Sequence, residues 1–434
     1  MRPFQIVLLS IFAILAIGGV VFMTIYQGAA EEQNQYGGSV EIWGTFDKKV
    51  VRSVLEDITN TDDNFSVVKY SEKDSATFDD ALVHAIAEGR APDLVLLGHD
   101  QLVMHRSKLF PLSYETMSQR TIRDTYIDGV EIFARHDGLY GIPVGVDPLV
   151  LYWNRDIFSS GGQTAPPETW EQLVSATVPA LTKKNTNLDI FQSAVALGEY
   201  TNVRYAKEIL SSLLLQSGSA LVSEKGVGTN IAYQVTLNEQ TSNGIVPAHA
   251  ALSFYTQFAL PSHTLYTWNR ALTEDHYQFL AGELALYFAP GSAYYDLKKE
   301  NPNLNFDVSE VPQGAGATIR RNYGRFYALA IPKASDNISG AFRAAWKLGQ
   351  APVLATLTEA LHLAPVHRAT IGGGTNDPYR DVLYTTALIS RGWLDPNPIE
   401  SSMIMKQMVE DITSGRSRVS GAVRDAVDRL RAQF

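Results

Sequence analysis

The sequence predicts an α/β protein built on parallel, doubly wound sheets. Two patterns predict this fold class. After an apolar N-terminal segment, strand and helix signals alternate in the order β-α-β-α-β, which is typical of parallel sheets with helical crossovers. The predicted strands are continuously apolar, as expected where helices cover both faces of a sheet. With 434 residues, 45% of them hydrophobic, the chain is long enough for two or three domains.

The N-terminal segment predicts the compartment. Residues 6–26 form a run of 21 residues that is apolar except for one serine and one threonine, and about 20 such residues cross a bilayer. Arg2 precedes the run and Glu31–Glu32 follow it, a charge order that places the following chain outside the cytoplasm. Residues 1–30 are therefore expected to be a transmembrane anchor or a cleaved signal peptide. Residues 31–39 then form a polar linker, and the rest of the chain is extracytoplasmic.

Composition and motifs exclude several classes of function. The formal net charge is −10 and no run of lysine and arginine occurs, so no nucleic-acid partner is expected. The chain has no cysteine, which excludes disulfides and thiolate chemistry. The G-x-S-x-G, H-E-x-x-H and P-loop patterns are absent from the sequence. We therefore predict no cofactor and no catalytic residue.

Each early element is predicted from its periodicity. Strands are expected at Val40–Gly44, Phe65–Tyr70 and Leu94–Leu97. A helix is expected over Lys48–Ile58, where apolar residues recur every three to four positions. A second helix is expected over Phe78–Glu88, because its apolar pattern stops at a glycine that a proline soon follows.

An acid follows the first predicted strand and another follows the third. These residues are Asp47 and Asp100, and the carboxyl ends of parallel strands meet at one edge of the sheet, where ligands bind. Each acid also precedes a predicted helix, Gln101–Arg106 in the case of Asp100. Either carboxylate could therefore be an N-cap that accepts hydrogen bonds from backbone N–H groups. The two roles are compatible, since a capping carboxylate keeps an outer oxygen for a ligand.

A second acid-containing motif interrupts a long extended segment. Gly138–Phe158 is apolar, β-branched and aromatic apart from Asp147–Pro148. We expect this segment to be a strand that crosses from one lobe of the molecule into another, with Asp147 at the crossing. Ala165–Leu173 follows as a loop and a helix start, with Thr169 as the N-cap.

The rest of the chain gives coarser predictions. Much of Leu173–Thr273 has a helical pattern, which is clearest at Tyr205–Gln216 and is also found at Ser253–Phe258. The other predicted elements are a strand followed by a helix within Phe279–Lys299, strands within residues 305–313 and 325–335, and an amphipathic helix within residues 414–434.

Eight motifs, in order, carry a resemblance to a known family. They are VEIWGTFDKK, PDLVLLGHDQL, YGIPVGVDPLVLYWNRDIF, PPETWEQL, FLAGELALYFAPGSAYYDL, NFDVSEVPQ, YALAIPKAS and SGRSRVSGAVRDAVDRLRAQF. In this order and spacing, from about Ser39 to the C-terminus, the chain resembles the family 1 extracellular solute-binding proteins. These are the substrate-binding components of ABC importers, and the likeness is to the maltose-binding branch.

The resemblance implies a periplasmic-binding-protein fold of type II, in which two α/β lobes are joined by a hinge. The N-terminal lobe would comprise residues 40–145 and 328–364, and the C-terminal lobe residues 146–324 and 366–434. A small solute would bind in the cleft between the lobes, and the closed form would deliver it to the permease of an ABC transporter. The implied crossings are at Val144–Pro148, Arg325–Leu329 and Ala364–His367.

The same resemblance implies a set of ligand-binding residues and a carbohydrate ligand. Carboxylates accept charge-assisted hydrogen bonds from hydroxyl groups, and aromatic rings cover the apolar faces of a sugar. The implied residues are Asp47, Lys48, Asp100, Asp147, Glu199, Tyr200, Tyr294 and Tyr295. Leu97 and Ala293 stand where the maltose branch has stacking tryptophans, and Gln101 stands where it has an arginine. These departures argue against maltose itself and for a smaller or different saccharide.

Three alternatives follow from the same residues. Asp47, Asp100, Asp147 and Glu199 could include the acid and base of an anchored glycosidase. The tandem Tyr294–Tyr295 resembles the phenolate pair of ferric-ion-binding relatives, with Asp47 as a further ligand. Relatives with this fold also carry other small solutes, namely polyamines, phosphate esters and amino acids. An anchored sensor module could also use this fold. We expect a binding protein rather than an enzyme, and no metal.

Overall fold

The computed structural model describes residues 35–227 and 230–434. The predicted membrane segment, residues 6–26, lies outside the described residues. Within the described ranges, no helix is long and apolar enough to cross a membrane. The chain divides into two compact units. Among the described residues, the first comprises residues 35–94 together with Ala334–Lys347, and the second comprises Val95–Lys333 and Leu348–Phe434.

Strands and helices alternate along most of the described chain. The strands are β1 Val40–Gly44, β2 Val68–Glu72, β3 Leu94–Gly98, β4 Ala134–Arg135, β5 Gly138–Leu139, β6 Ile142–Asn154, β7 Lys183–Lys184, β8 Ile190–Val195, β9 Val222–Val227, β10 Asn230–Val235, β11 Leu284–Pro290, β12 Phe306–Ser309, β13 Asn322–Ala330, β14 Ala364–Pro365 and β15 Ser390–Arg391. The α-helices are α1 Lys48–Thr59, α2 Phe78–Ala87, α3 Leu102–His105, α4 Gln119–Thr125, α5 Arg155–Ser160, α6 Trp170–Gln172, α7 Val178–Leu181, α8 Ala206–Gln216, α9 Pro247–Thr256, α10 Asp275–Leu280, α11 Ala293–Glu300, α12 Ile338–Leu348, α13 Ala351–Ala360, α14 Arg368–Ile371, α15 Pro378–Ile389, α16 Pro398–Thr413 and α17 Val419–Arg431.

The first unit confirms most of the early predictions. β1 and β2 pair in parallel, with Val40 opposite Val68. α1 buries the apolar positions that its periodicity predicts, namely Val51, Val54, Leu55 and Ile58. The predicted start of the second strand at Phe65 is wrong. Residues Asp63–Val67 form a 3₁₀ turn that buries Phe65, and the amide of Phe65 bonds back to the carbonyl of Asp62.

The sheet of the second unit is mixed rather than purely parallel. Its strands follow the order β3-β13-β6-β11-β8-β7. β8 and β11 are parallel, as the predicted doubly wound architecture requires. β13 runs antiparallel to both β3 and β6, and β6 runs antiparallel to β11. The prediction of parallel sheets is therefore wrong for the centre of this sheet, because the long strands β6 and β13 run antiparallel to their neighbours.

The three predicted crossing segments are hydrogen-bonded neighbours in this sheet. β13 pairs with β6, and β14 pairs with β6 through Ala364 and Val146. The register places Arg325 directly opposite Asp147. The predicted extended segment ends earlier than expected, because Asn154 caps α5 by accepting hydrogen bonds from the backbone amides of Asp156 and Ile157, both at 3.0 Å.

The stretch Leu173–Thr273 is less helical than its pattern predicts. α8 and α9 account for the two helices named from the sequence. The same stretch also contains β7 and β8 at the edge of the sheet and an antiparallel hairpin, β9–β10. β9 has a polar centre and β10 mixes polar and apolar residues, so neither a period of two nor a period of 3.6 marks them clearly in the sequence.

Candidate functional site

Asp100 lies at the carboxyl end of β3 and pairs with an arginine from β13. The chain leaves β3 at Gly98 and passes through a 3₁₀ turn, His99–Gln101, which holds Asp100. The Nε atom of Arg325 donates to Oδ1 of Asp100 over 3.1 Å. The capping alternative for Asp100 is wrong, since the helix that follows, Leu102–His105, has Gln101 at its N-cap position and no side-chain cap hydrogen bond. The carboxylate is instead held by a cation on the neighbouring strand.

Gly98 makes room for this ion pair. A Cβ atom at this position would lie 2.3 Å from Oδ1 of Asp100 and 2.7 Å from Nε of Arg325. The side chain of Arg325 remains 41% exposed and that of Asp100 14% exposed. A strand that ends in glycine followed closely by an acid therefore leaves a charged pair that a solute can reach.

Charge and burial fix the protonation states around the pair. Burial opposes ionisation of Asp100, but the Arg325 guanidinium and other nearby positive charge hold the pKa of its carboxyl below the usual range. Burial lowers the pKa of the neighbouring His99 to about 4. Nδ1 of His99 accepts a hydrogen bond from the amide of Phe326 at 3.1 Å. Near neutral pH, Asp100 is therefore an anion and His99 is neutral.

Asp147 holds the start of a helix. It lies on β6 opposite Arg325 and is 9% exposed. Its Oδ1 accepts from the amide of Ser292 at 3.0 Å, and its Oδ2 accepts from the hydroxyl of Ser292 at 2.6 Å. Burial raises the pKa of Asp147 to about 6. Because both of its carboxylate oxygens accept hydrogen bonds from Ser292, Asp147 fixes the loop that leads into α11.

One face of β13 carries three polar or aromatic side chains that the sequence analysis missed. Tyr323, Arg325 and Tyr327 alternate with Gly324 and Phe326, which are buried. The guanidinium of Arg325 lies 5.3 Å from the centre of the Tyr327 ring. An arginine in an otherwise apolar strand was the available signal. Asp147 gave the same kind of signal in β6, a charged residue in an apolar strand. Only the strand register shows that these two residues lie opposite each other.

A second ion pair, between Lys207 on α8 and Asp395, lies close to Asp100. Nζ of Lys207 is 2.6 Å from Oδ2 of Asp395 and also donates to the carbonyl of Pro398 at 2.9 Å. The charge of Lys207 contributes to the low pKa of Asp100. Glu208, the next residue, is half-buried, and burial raises the pKa of its carboxyl. Acidic and basic groups thus surround the Asp100–Arg325 pair.

Glu199 and Tyr200 have partners of their own. The Glu199 carboxylate accepts from Nη2 and Nε of Arg270 at 3.1 and 3.3 Å. The hydroxyl of Tyr200 lies 2.8 Å from that of Ser402, and burial raises its pKa. Within the described ranges, neither residue shares a hydrogen bond or ion pair with Asp100.

Tyr294 and Tyr295 stack on other rings at the start of α11. Tyr294 lies parallel to Tyr379 with ring centres 4.2 Å apart, and Tyr295 lies parallel to His362 at 3.8 Å. The two tyrosines meet edge to face at 5.3 Å. Burial raises the pKa of Tyr294, which disfavours the phenolate form that binds iron. In the part of the chain that the structure describes, no group of three or more His, Cys, Asp or Glu residues could hold a metal ion.

Asp47 and Lys48 belong to the first unit. Oδ1 of Asp47 accepts from the amides of Lys49 and Val50 at 2.7 and 3.2 Å, which confirms its predicted role as the N-cap of α1. The amide of Lys48 donates to Glu72 at 2.8 Å, and its side chain is exposed. Asp47 is also exposed, so the cap leaves its carboxylate open to solvent.

Comparison with known proteins identifies the family. The sequence profile described as "Bacterial extracellular solute-binding protein" matches residues 55–369. The chain belongs to this family. Its members bind solutes outside the cytoplasm and are not enzymes, so this solute-binding protein is extracytoplasmic and the glycosidase alternative is wrong. A search of curated protein sequences gives no match.

Solved structures share the fold of this solute-binding protein. A cyclo/maltodextrin-binding protein, solved in complex with maltotetraose, has a TM-score of 0.70 at 15% identity, covering 91% of this chain and 96% of its own. The sugar-binding protein MalE of Xanthomonas citri has a TM-score of 0.70 at 19% identity, with coverages of 91% and 97%. The GacH receptor of Streptomyces glaucescens, also solved with acarbose, has a TM-score of 0.65 at 16% identity, with coverages of 91% and 98%. The likeness establishes a mixed-sheet periplasmic-binding-protein fold.

Proposed function

We propose that this solute-binding protein captures a mono- or oligosaccharide at the Asp100–Arg325 pair and delivers it to an ABC permease. The observation that carries the proposal is the pair itself. An ionised carboxylate just past the end of β3 and a guanidinium from β13, both partly exposed, lie beside the half-buried ring of Tyr327. This combination suits a ligand that is rich in hydroxyl groups.

The chemistry of each group supports the proposal. The Asp100 carboxylate accepts charge-assisted hydrogen bonds from hydroxyls, and the exposed part of the Arg325 guanidinium donates to hydroxyl or ring oxygens. Tyr327 presents a half-buried ring beside the guanidinium, where it can cover an apolar face of the sugar. Binding needs no change in protonation, because Asp100 is already an anion near neutral pH.

The other predicted residues enter the proposal with different roles. Asp147 positions the loop that leads to Tyr294 and Tyr295, and the aromatic group at the start of α11 flanks the solute. Glu199 and Tyr200 line the site from the predicted C-terminal lobe. Asp47 and Lys48 remain predicted ligand contacts, and substitution of Asp47 tests that prediction. We propose further that the lobes predicted from the sequence close around the solute, and that residues 6–26 attach the protein to the membrane or direct its export.

Isothermal titration of the full-length protein with a panel of saccharides tests this function. One saccharide class should bind with a stoichiometry of one, and chromatography should recover it chemically unchanged. Asp100→Asn keeps the shape of the side chain but removes its charge, so it should weaken binding by about tenfold or more. Binding that is equally tight in Asp100→Asn would contradict the proposed site, and hydrolysis of the sugar would contradict the proposed function.

A further inference from the structure

The carboxylate of Glu208 lies beside the Asp100–Arg325 pair and has no partner on another residue. Glu208 belongs to the first turn of α8, directly after Lys207, and its side chain is half-buried. Within the described ranges, its carboxylate accepts a hydrogen bond only from its own backbone amide and forms no ion pair. The charges of Asp100 and Arg325 both act on its ionisation, so Glu208 belongs to the surroundings of the proposed site.

The positive charges near Glu208 are already matched by other acids. Nε of Arg325 donates to Oδ1 of Asp100 at 3.1 Å. Nζ of Lys207 lies 2.6 Å from Oδ2 of Asp395. Each of these two cations therefore has a carboxylate within hydrogen-bonding distance. Glu208 is a third carboxylate beside them, so this part of the site carries an excess of one negative charge.

The excess charge is unfavourable at a half-buried position. Burial raises the pKa of Glu208, the charges of Lys207 and Arg325 oppose this rise, and the charge of Asp100 adds to it. A cation that a ligand brought to Glu208 would favour the ionised carboxylate and offset the excess charge. The charge balance therefore favours a ligand that carries positive charge.

The hydroxyl of Tyr323 is a second polar group without a hydrogen-bond partner in the described part of the chain. Tyr323 lies two residues before Arg325 on β13 and is only 6% exposed, although a tyrosine hydroxyl usually finds a partner when it is buried. The charges of Asp100, Glu208 and Arg325 all act on its ionisation, so the hydroxyl lies among the same groups. Burial raises its pKa well above the usual range, so the oxygen is neutral and can accept a hydrogen bond from an N–H group.

The surrounding residues favour an amine with a single positive charge over other cations. A metal ion is disfavoured, because no group of three or more His, Cys, Asp or Glu residues in the described ranges could hold one. A polyamine is disfavoured, because Arg325 and Lys207 would repel its further charges. An amino sugar carries one ammonium group, and its hydroxyls suit the Asp100–Arg325 pair.

We propose that Glu208 and Tyr323 form a subsite for one ammonium group, so that the solute is an amino sugar. The inference deepens the proposed function and rests on it. The Glu208 carboxylate and the Tyr323 oxygen each accept an N–H hydrogen bond from the ammonium group. Asp100 and Arg325 bind hydroxyl and ring oxygens of the same sugar.

Titration calorimetry of the full-length wild-type protein with matched sugars tests the subsite. The pairs are glucosamine with glucose, galactosamine with galactose, and mannosamine with mannose, which differ only in the amine or hydroxyl at carbon 2. The amino member of one pair should bind about tenfold or more tightly than its neutral parent, because its ammonium group makes charge-assisted hydrogen bonds. N-acetylation of that amine removes its charge and should abolish the preference.

Two variants locate the ammonium group. Glu208→Gln keeps the shape of the side chain but removes its charge, so the preference for the amino sugar should fall by about tenfold. Tyr323→Phe removes one acceptor and should reduce the preference by roughly threefold. Glu283→Gln is the matched control, because it removes the same charge from an exposed residue just before β11 and should keep the full preference.

The outcomes separate this inference from the proposed function. A saccharide that binds equally well with and without the amine, or a preference that is unchanged in Glu208→Gln, would overturn the subsite while the proposed function stands. If Glu208→Gln does not fold, the N-acetylated sugar and Tyr323→Phe decide the result. A panel in which no saccharide binds, charged or neutral, would overturn the proposed function and the subsite together.

Discussion

Arg325 donates to Asp100 across 3.1 Å while its backbone lies directly opposite Asp147 in the sheet. One residue of β13 therefore neighbours two acids, one in the turn after β3 and one on β6, that are nearly fifty positions apart in the sequence. The arginine neutralises part of the negative charge that the two carboxylates bring to this edge of the sheet. It also keeps Asp100 ionised, whereas burial drives Asp147 toward the protonated form. The two acids thus have different roles in one site.

Substitution of Arg325 tests the shape of the cation as well as its charge. Arg325→Lys keeps a positive charge but loses the planar guanidinium, so it should weaken saccharide binding by about tenfold. The free energy of unfolding should fall by about 1 kcal/mol or less, since the pair is partly exposed. Titration calorimetry and thermal unfolding measure both effects. Arg320→Lys, at an arginine that pairs with Glu310, is the matched control and should bind normally.

Gly98 should tolerate no side chain. In Gly98→Ala, the new Cβ would push apart the Asp100 carboxylate and the Arg325 guanidinium, so binding should weaken and unfolding should become easier by roughly 1–3 kcal/mol. Gly314→Ala is the control, because a Cβ atom added there would meet no heavy atom within 4 Å and the backbone is not left-handed. A Gly98→Ala protein that binds as well as the wild type would show that the pair does not contact the solute.

The high pKa of Asp147 predicts a particular pH dependence of stability. Its pKa, raised to about 6 by burial, exceeds the value near 4 of an unfolded chain, so the folded protein binds the extra proton. The stability it contributes is complete below about pH 4 and is lost as the pH rises through 6. Relative to Asp147→Asn, the wild type should therefore lose about 2 kcal/mol between pH 4 and 7.

Scanning calorimetry across this pH range measures the difference between the two proteins. Asp100→Asn supplies a contrast of opposite sign, because the pKa of Asp100 is lowered and its contribution is lost as the pH falls. A difference between wild type and Asp147→Asn that is constant with pH would mean that Asp147 is not protonated in the fold.

Substitutions of Asp47 can separate its two predicted roles, helix capping and ligand binding. Asp47→Ala removes the cap of α1 and should cost about 1 kcal/mol of stability, whereas Asp47→Ser keeps a capping oxygen and should cost much less. If the carboxylate also contacts the solute, Asp47→Ser should lose affinity at nearly unchanged thermal stability. Normal affinity in Asp47→Ser would restrict this residue to capping.

The sequence was informative where a local pattern determines the structure. The strands around Val40 and Leu94 and the helices after Asp47 and Thr77 follow from periodicity, and the long strand that contains Asp147 follows from an extended apolar segment. The capping role of Asp47 could also be inferred locally, since a cap involves only the next few residues. Some of the residues that form the proposed site at the end of β3 could therefore be identified from the sequence.

Long-range pairing could not be predicted in the same way. Arg325 and Asp100 are 225 positions apart, and their contact depends on the antiparallel register of β13 with β3. The stacking of Tyr294 on Tyr379 and the contact of Arg106 with Glu224 likewise depend on tertiary packing. The mixed direction of the sheet follows from the same cause, since strand pairing is not encoded in the period of a single segment.

The most direct test of the central claim is the thermal unfolding of the full-length protein with saccharides, polyamines and ferric salts, repeated on Arg325→Ala. One saccharide class at 100 times its dissociation constant should stabilise the wild type by about 2.7 kcal/mol and leave Arg325→Ala unaffected. A saccharide effect of equal size in Arg325→Ala would contradict the site. Stabilisation by ferric salts alone, abolished in Tyr294→Phe, would contradict the proposed carbohydrate function.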